Sequence, residues 1–224
     1  MLIAAFDTST PATVVALEGE DGVLEARLEA PSAGPPAHSS QLLPALASLL
    51  EQAGAGWGDV GRLGFGTGPG TFTGLRIAAS TVEGLRRVAD AAVVGVDSLE
   101  ALSLPARRAE PGRPVCALLD ARRGEVFASG WQADGSLAFG PLAVAPGELP
   151  ALLDAGSGWL VAGQAPEPFG RVLADAGVET VPEGDPRNLI GGAALCELAR
   201  LGIPLSGPAL PDYVREPDAH RPAA

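Results

Sequence analysis

A chain of 224 residues with 46% hydrophobic and 19% charged residues is long enough for one large domain or two small ones, with ample core for either. Its formal net charge of −12 argues against a large nucleic-acid footprint, which needs a basic stripe, so any work on RNA calls for another molecule to hold the RNA. Apolar runs are broken by charge or Pro well short of the ~20 residues of a membrane span, and the start M-L-I-A-A-F-D lacks a basic leader.

Residues 2–6 read as a strand ending at Asp7, followed by the polar turn Thr8–Pro11 and a second strand over Val14–Leu17. Gly22 opens a third strand through Leu28, and P-S-A-G-P-P-A at 31–37 is a linker loop. A helix follows from His38 or Ser39 to Ala53. Leu42, Leu46, Leu49 and Leu50 share one face at 3.6-residue spacing, Pro44 falls within the first turns, and Gly54 ends it.

A strand at 62–65 then runs into a turn holding Gly66, Gly68, Pro69 and Gly70, and a helix over 72–88. Thr71 or Thr73 is placed to cap that helix. Outward N–H groups at such a turn suit an anion. A P-loop also needs a Lys, and all 15 basic residues here are Arg. Gly70, Gly74 and Ala78 recur four apart, so one stripe of the helix lets another backbone approach closely. The stripe either packs inside its own lobe or meets a partner. A strand at 91–96 follows.

A second unit begins after the polar stretch at 105–114. V-C-A-L-L-D at 115–120 is a strand ending at Asp120, A-R-R-G a turn, and 125–131 the returning strand. Leu137–Val144 supplies a third strand, Pro146–Leu153 a short helix, 159–163 a fourth strand and Pro168–Ala176 a second helix. Asn188–Leu201 is an amphipathic helix, and the Pro-rich tail from Ser206 is irregular. The repeat of strand, Asp, polar turn and strand predicts a duplicated α/β chain, divided as 1–104 and 105–224. Cys116 and Cys196 lie in apolar contexts, as buried free thiols of a cytoplasmic protein do.

Asp7 and Asp120, each at a strand end before a hairpin turn, resemble the paired phosphate motifs of the actin-like ATPase fold, where two carboxylates face a metal–nucleotide complex. The second hairpin reads D-A-R-R-G, with two Arg where close backbone approach favours Gly. The plainer reading, and the favoured one, is that both Asp residues cap their own turns. A catalytic triad finds no support: the two His, His38 and His220, lie at a helix start and in the tail, and Ser157 lacks a nucleophile elbow. Zinc-ligand spacing is absent as well.

Six stretches in order, I-A-A-F-D-T-S-T, H-S-S-Q-L-L-P, G-T-G-P-G-T-F-T-G-L-R-I, V-G-V-D-S-L-E-A-L, L-L-D-A-R-R-G-E-V-F and P-D-Y-V-R, resemble the signatures of the bacterial TsaB (YeaZ) family. They run from residue 3 to 215, and the Gly-rich block is the most specific. The resemblance implies tandem duplicated actin-like (ASKHA) lobes, each a mixed sheet with helices. It also implies similarity to TsaD, the catalytic subunit that places a threonylcarbamoyl group on N6 of an adenosine beside the tRNA anticodon. A TsaB homodimer, a heterodimer with a TsaD-like subunit and a TsaE-like ATPase as third component are implied likewise, with tRNA reached only through the complex.

The catalytic relative carries His-x-x-x-His after the strand that follows the second helix; the matching positions here are Ser98 and Leu102. Leu cannot bind a metal, so the resemblance implies a non-catalytic, vestigial site, with Asp7, Thr8, Ser9 and Asp120 as vestigial phosphate-motif positions. Thr67 stands where the family usually has Arg. No cofactor is expected on the isolated chain. The two helices of the first unit are the expected partner surface, through His38, Leu42, Leu46, Gly70, Phe72, Gly74, Arg76 and Ala78, as half of a four-helix bundle. The alternative is a free-standing actin-like phosphotransferase acting on ATP and a small molecule; a metallopeptidase fails on the missing ligands.

Overall fold

The computed structural model describes every residue except 33, 35, 155, 165 and 216–224, so His220 lies outside the described residues. Three strands, β1 (Leu2–Asp7), β2 (Thr13–Gly19) and β3 (Gly22–Leu28), open the chain, and α1 (His38–Gln52) follows. β4 (Val60–Gly68), α2 (Phe72–Ala89), β5 (Ala92–Asp97) and α3 (Ser98–Ala109) complete the first unit. The second repeats it with β6 (Val115–Arg122), β7 (Glu125–Trp131), β8 (Leu137–Val144), α4 (Leu149–Leu153), β9 (Leu160–Gly163), α5 (Phe169–Asp175), β10 (Glu179–Thr180) and α6 (Gly192–Leu201).

Both units build the same five-stranded sheet. The orders are β3-β2-β1-β4-β5 and, read from the matching edge, β8-β7-β6-β9-β10. In each, the first strand pairs antiparallel with the second and parallel with the fourth. β1 is buried on both sides along Ile3–Asp7, as a central strand with helices on both faces must be.

The helices make the packing clear. Leu42, Leu46, Leu49 and Leu50 of α1 and Ala78, Val82 and Leu85 of α2 cover the outer face of the first sheet. α4 and α5 cover the outer face of the second through Leu149, Leu153, Phe169 and Leu173. Between the sheets lie α3 and α6, and they cross. α3 ends the first unit yet packs on β6 and β9, while α6 ends the second and packs on β1, β2 and β4. One shared core results, with Ile3, Ala5 and Val14 from the first sheet, Ala117, Leu119 and Phe127 from the second, and Leu99, Leu102, Leu195 and Ala199 between them.

This exchange corrects the division at 104/105. That boundary falls inside α3, and α6 belongs to the first sheet's core despite its place in the second half of the chain. The described tail returns to the first unit as well, Leu205 N donating to Val93 O of β5 at 2.7 Å and Ala209 N to Glu83 Oε1 of α2 at 2.6 Å.

Three further differences have local causes. α3 is absent from the sequence reading, which takes 105–114 as a polar stretch before the second unit. The helix instead runs on past Pro105 because Leu99, Leu102 and Ala106 bury one face, and Asp97 Oδ1 caps it by accepting from Glu100 N at 2.8 Å. The last helix begins at Gly192 rather than Asn188, because the Asn188 side chain is held elsewhere: Oδ1 accepts from Gly163 N and Nδ2 donates to Pro182 O, both at 2.8 Å. β10 has only two residues, too few for a periodic signal. Among the described residues no helix is long and apolar enough to cross a membrane. Both cysteines are free and buried, and burial pushes the Cys196 thiol up to about 12.

Candidate functional site

The turn after Asp7 and the strand end that carries Asp120 line one crevice, but the two carboxylates have different surroundings. Asp7 is fully buried. Its Oδ1 accepts from Ser9 N at 2.8 Å and Ser9 Oγ at 2.6 Å, and its Oδ2 from Ser98 Oγ at 2.6 Å. A carboxylate can be kept out of water only when such donors replace its hydration. Here they come from its own turn and from the first turn of α3. Gly66 of β4 lies against the carboxylate, and a Cβ there would collide with Asp7 Oδ2.

Thr8 Oγ1 donates to Gly74 O at 2.8 Å, and Thr71 N donates to Ser9 O at 2.7 Å. The β1–β2 turn is thereby laid directly on the start of α2. Thr71 occupies the cap position without a side-chain cap bond, and its N–H, one of the donors expected to point outward, is spent on Ser9. Thr67 Oγ1 donates to Val96 O at 3.2 Å.

Asp120 is half-buried and serves its own hairpin. Oδ1 accepts from Arg122 N at 2.7 Å, and Oδ2 pairs with Arg122 Nη1 at 3.3 Å. The turn passes through left-handed backbone at Arg122, Arg123 and Gly124, with φ of 63°, 56° and 77°. The crevice bounded by Ser9, Thr10, Gly70, Asp120 and Arg122 measures about 20 Å³. That pocket alone has room for roughly one water molecule, and Gly70, Asp120 and Arg122 also line an adjoining groove of about 390 Å³.

Ser98 and Leu102, the two positions matching a metal motif, lie one helical turn apart on α3, and both are fully buried. Ser98 is committed to Asp7, and Leu102 is packed in the shared core. Among the described residues no group of three His, Cys, Asp or Glu could hold a metal. The residues present do not fit one.

The expected partner surface needs correcting residue by residue. His38, Leu42, Leu46, Gly74 and Ala78 are buried in the lobe's own interior and cannot meet another molecule. Gly74 faces the Thr8 carbonyl so closely that a Cβ would lie well inside contact distance, and Gly70 meets Ser9 in the same way. The small-residue stripe is therefore a seat for the β1–β2 turn. Phe72 and Arg76 are exposed, with the Arg76 guanidinium 3.9 Å from the Phe72 ring centre. The outward faces of the two helices carry Leu43, Ala47 and Ser48 on α1 and Thr73, Ser80 and Gly84 on α2.

Two features escaped the sequence reading. His38 Nδ1 lies 2.7 Å from Thr13 Oγ1, while Nε2 is buried without a hydrogen-bond partner among the described residues, and burial holds the ring below its usual pKa against the opposing pull of Asp7. Asp97 is pushed up to about 6, by burial first, with the charges of Glu100 and Asp212 acting in the same direction against the bond from Glu100 N. Neither carries a sequence signal, because each shift is caused first by burial, which the tertiary packing sets.

A family model described as TsaD, tRNA N6-adenosine threonylcarbamoyltransferase, matches residues 30–162, more than half of the chain. The chain is 37% identical over 134 residues to the tRNA threonylcarbamoyladenosine biosynthesis protein TsaB of Escherichia coli, covering 60% of this chain and 56% of that protein. The TsaB of Bacillus subtilis is 31% identical over 132 residues, 59% of this chain and 56% of the relative. The chain thus spans little more than half the length of the curated relatives it matches. A structure of YeaZ from Pseudomonas aeruginosa superposes with TM-score 0.74 at 29% identity, covering 95% of this chain and 99% of that one. A ROK hexokinase from Thermus thermophilus, at 13% identity and TM-score 0.52 over 88% of this chain and 99% of that one, shares the fold alone. With the duplicated actin-like lobes and the Gly-rich turn seated on Asp7, these matches mean that the chain belongs to the TsaB (YeaZ) family.

Proposed function

We propose that this chain is a non-catalytic scaffold subunit in the assembly that makes N6-threonylcarbamoyladenosine in tRNA. On this reading it works in the cytoplasm, binds a TsaD-like catalytic subunit, meets a TsaE-like ATPase through the resulting complex, and also pairs with itself. It reaches tRNA only through its partners and binds no nucleotide alone. Family membership supports the pathway. The observation that carries the non-catalytic role is Leu102: at the position of a metal ligand in the catalytic relative stands an aliphatic side chain, buried in the core shared by both sheets.

The docking face is the outer side of α1 and α2. From Ser39 to Ser48 the α1 face bears no charge, and Leu43 and Phe72 remain 45% and 39% exposed. Small, uncharged outer residues let a second helix pair approach closely.

Reconstitution tests the reading. The TsaD-like and TsaE-like subunits of the same host should modify tRNA only when this chain is added, and Ser80→Arg should abolish both that stimulation and heterodimer formation while leaving the melting temperature unchanged. ATP turnover by the isolated chain on a small substrate would replace the scaffold reading with a phosphotransferase.

A further inference from the structure

Four residues near the end of the described chain, Asp212–Arg215, cross from one lobe to the other. Asp212 N donates to Thr67 O at the end of β4 at 2.8 Å. The Tyr213 ring packs on Phe72 with centres 5.3 Å apart, and its hydroxyl accepts from Arg76 Nε at 3.3 Å. Val214 packs against the shared core. Arg215 then grips the β6–β7 hairpin of the second lobe, Nη1 pairing with Glu125 Oε2 at 2.7 Å and Nη2 donating to Ala121 O at 3.2 Å. Beneath this crossing lies a groove of about 390 Å³, with Phe72 and Leu75 on one wall and Ala121 and Phe127 on the other.

We propose that Asp212–Arg215 is a strap that ties the exposed start of α2 to the β6–β7 hairpin, so that what happens to Phe72 and Arg76 alters how the two lobes are held at the groove. The crossed helices fix the lobes at the back; the strap is the polar tie at the open side. Its first-lobe anchors are the bond from Asp212 N to Thr67 O and the contacts of Tyr213 with Phe72 and Arg76, two exposed residues, whereas its second-lobe anchor is a charge-assisted pair with Glu125. A molecule that takes Phe72 and Arg76 away from Tyr213 leaves the first-lobe end held by the Asp212–Thr67 backbone bond alone and loosens the other end. That a partner does so rests on the docking face proposed above; the mechanical link does not.

Hydrogen exchange of the full free chain tests the link without any partner. Arg215→Ala cuts only the second-lobe anchor, and Tyr213→Ala removes only the ring contacts with Phe72 and Arg76, leaving the Asp212–Thr67 bond in place. With a strap, Arg215→Ala speeds exchange in the Thr67–Leu75 segment as well as at 121–125, by roughly tenfold, as for the loss of one charge-assisted hydrogen bond. Tyr213→Ala produces the reciprocal change at 121–125, and Arg215→Lys restores part of the protection. If each variant affects only the lobe whose anchor it removes, the strap is overturned. A failed heterodimer assay would instead remove the docking face and leave this result standing.

Discussion

Ser98 Oγ donates to Asp7 Oδ2 at 2.6 Å, joining the first turn of α3 to the end of β1. Both residues are fully buried, and the other carboxylate oxygen already serves Ser9. Ser98→Ala leaves one oxygen of a buried carboxylate without its donor, which costs about 1–3 kcal/mol. Urea melts should show that loss with an unchanged slope. A midpoint equal to the parent's would mean that the hydroxyl contributes nothing to holding Asp7.

Gly74→Ala should destabilise the isolated chain, because the added methyl meets the Thr8 carbonyl, a backbone group that cannot rotate away. Overpacking costs roughly 1–3 kcal/mol, and the upper part of that range is expected. Thermal melts decide the matter. A variant that melts like the parent but no longer binds a TsaD-like subunit would return the glycine stripe to the interface.

Asp97 gives the chain a pH response of unusual sign. Its folded pKa is raised from 3.8 to about 6, so between these values the folded state holds more protons than the unfolded one. Stability from this group therefore falls as pH rises through about 4 to 6 and stays low above that. Asp97→Asn keeps an N-cap acceptor, Asn and Asp being comparable there. It should raise the melting temperature at pH 7.5 and flatten the profile between pH 4 and 6. A variant that is less stable at pH 7.5 would contradict this.

His38 acts the other way. Burial lowers its folded pKa below 6.5, so the unfolded chain takes up the proton first, and stability is lost as pH falls below about 6.5. In His38→Gln that loss should be absent, and the melting temperature should vary less between pH 7 and 5. The same acid sensitivity in the variant would place its origin elsewhere.

Asp120 caps its own turn and pairs with Arg122. Asp120→Asn should retain threonylcarbamoyladenosine formation in the reconstituted system, with a stability change within ~1 kcal/mol, as is usual for an exposed pair. Loss of activity at unchanged stability would point to a catalytic carboxylate after all.

The duplication was readable because the strand–Asp–turn–strand pattern recurs at Asp7 and Asp120 and the outer helices carry clean 3.6-residue faces. α3 was hidden by Pro105 and the Arg-rich residues that follow, features that mark linkers unless an apolar face outweighs them. The Gly70–Gly74–Ala78 stripe announced close approach correctly but not the neighbour, since a missing Cβ serves a turn of the same chain as well as it serves a partner. Leu42 and Leu46 were misplaced for a related reason: a helix has an inner and an outer apolar arc, and periodicity alone does not say which one a partner sees. The roles of Ser98 and Arg215 depend on contacts 91 and 90 residues away in sequence, respectively.

The crossing of α3 and α6 has a consequence for how the protein is made. The first sheet is complete once Asp97 has left the ribosome, yet the helix that shields Ile3, Ala5 and Val14 is Gly192–Leu201. At ~5–20 residues per second, that apolar face waits on the order of ten seconds for its cover. During this interval the nascent chain presents water with a finished but half-clad sheet, and a chain stopped after residue 104 would never lose it. Such a fragment should emerge as aggregate rather than as a small soluble lobe.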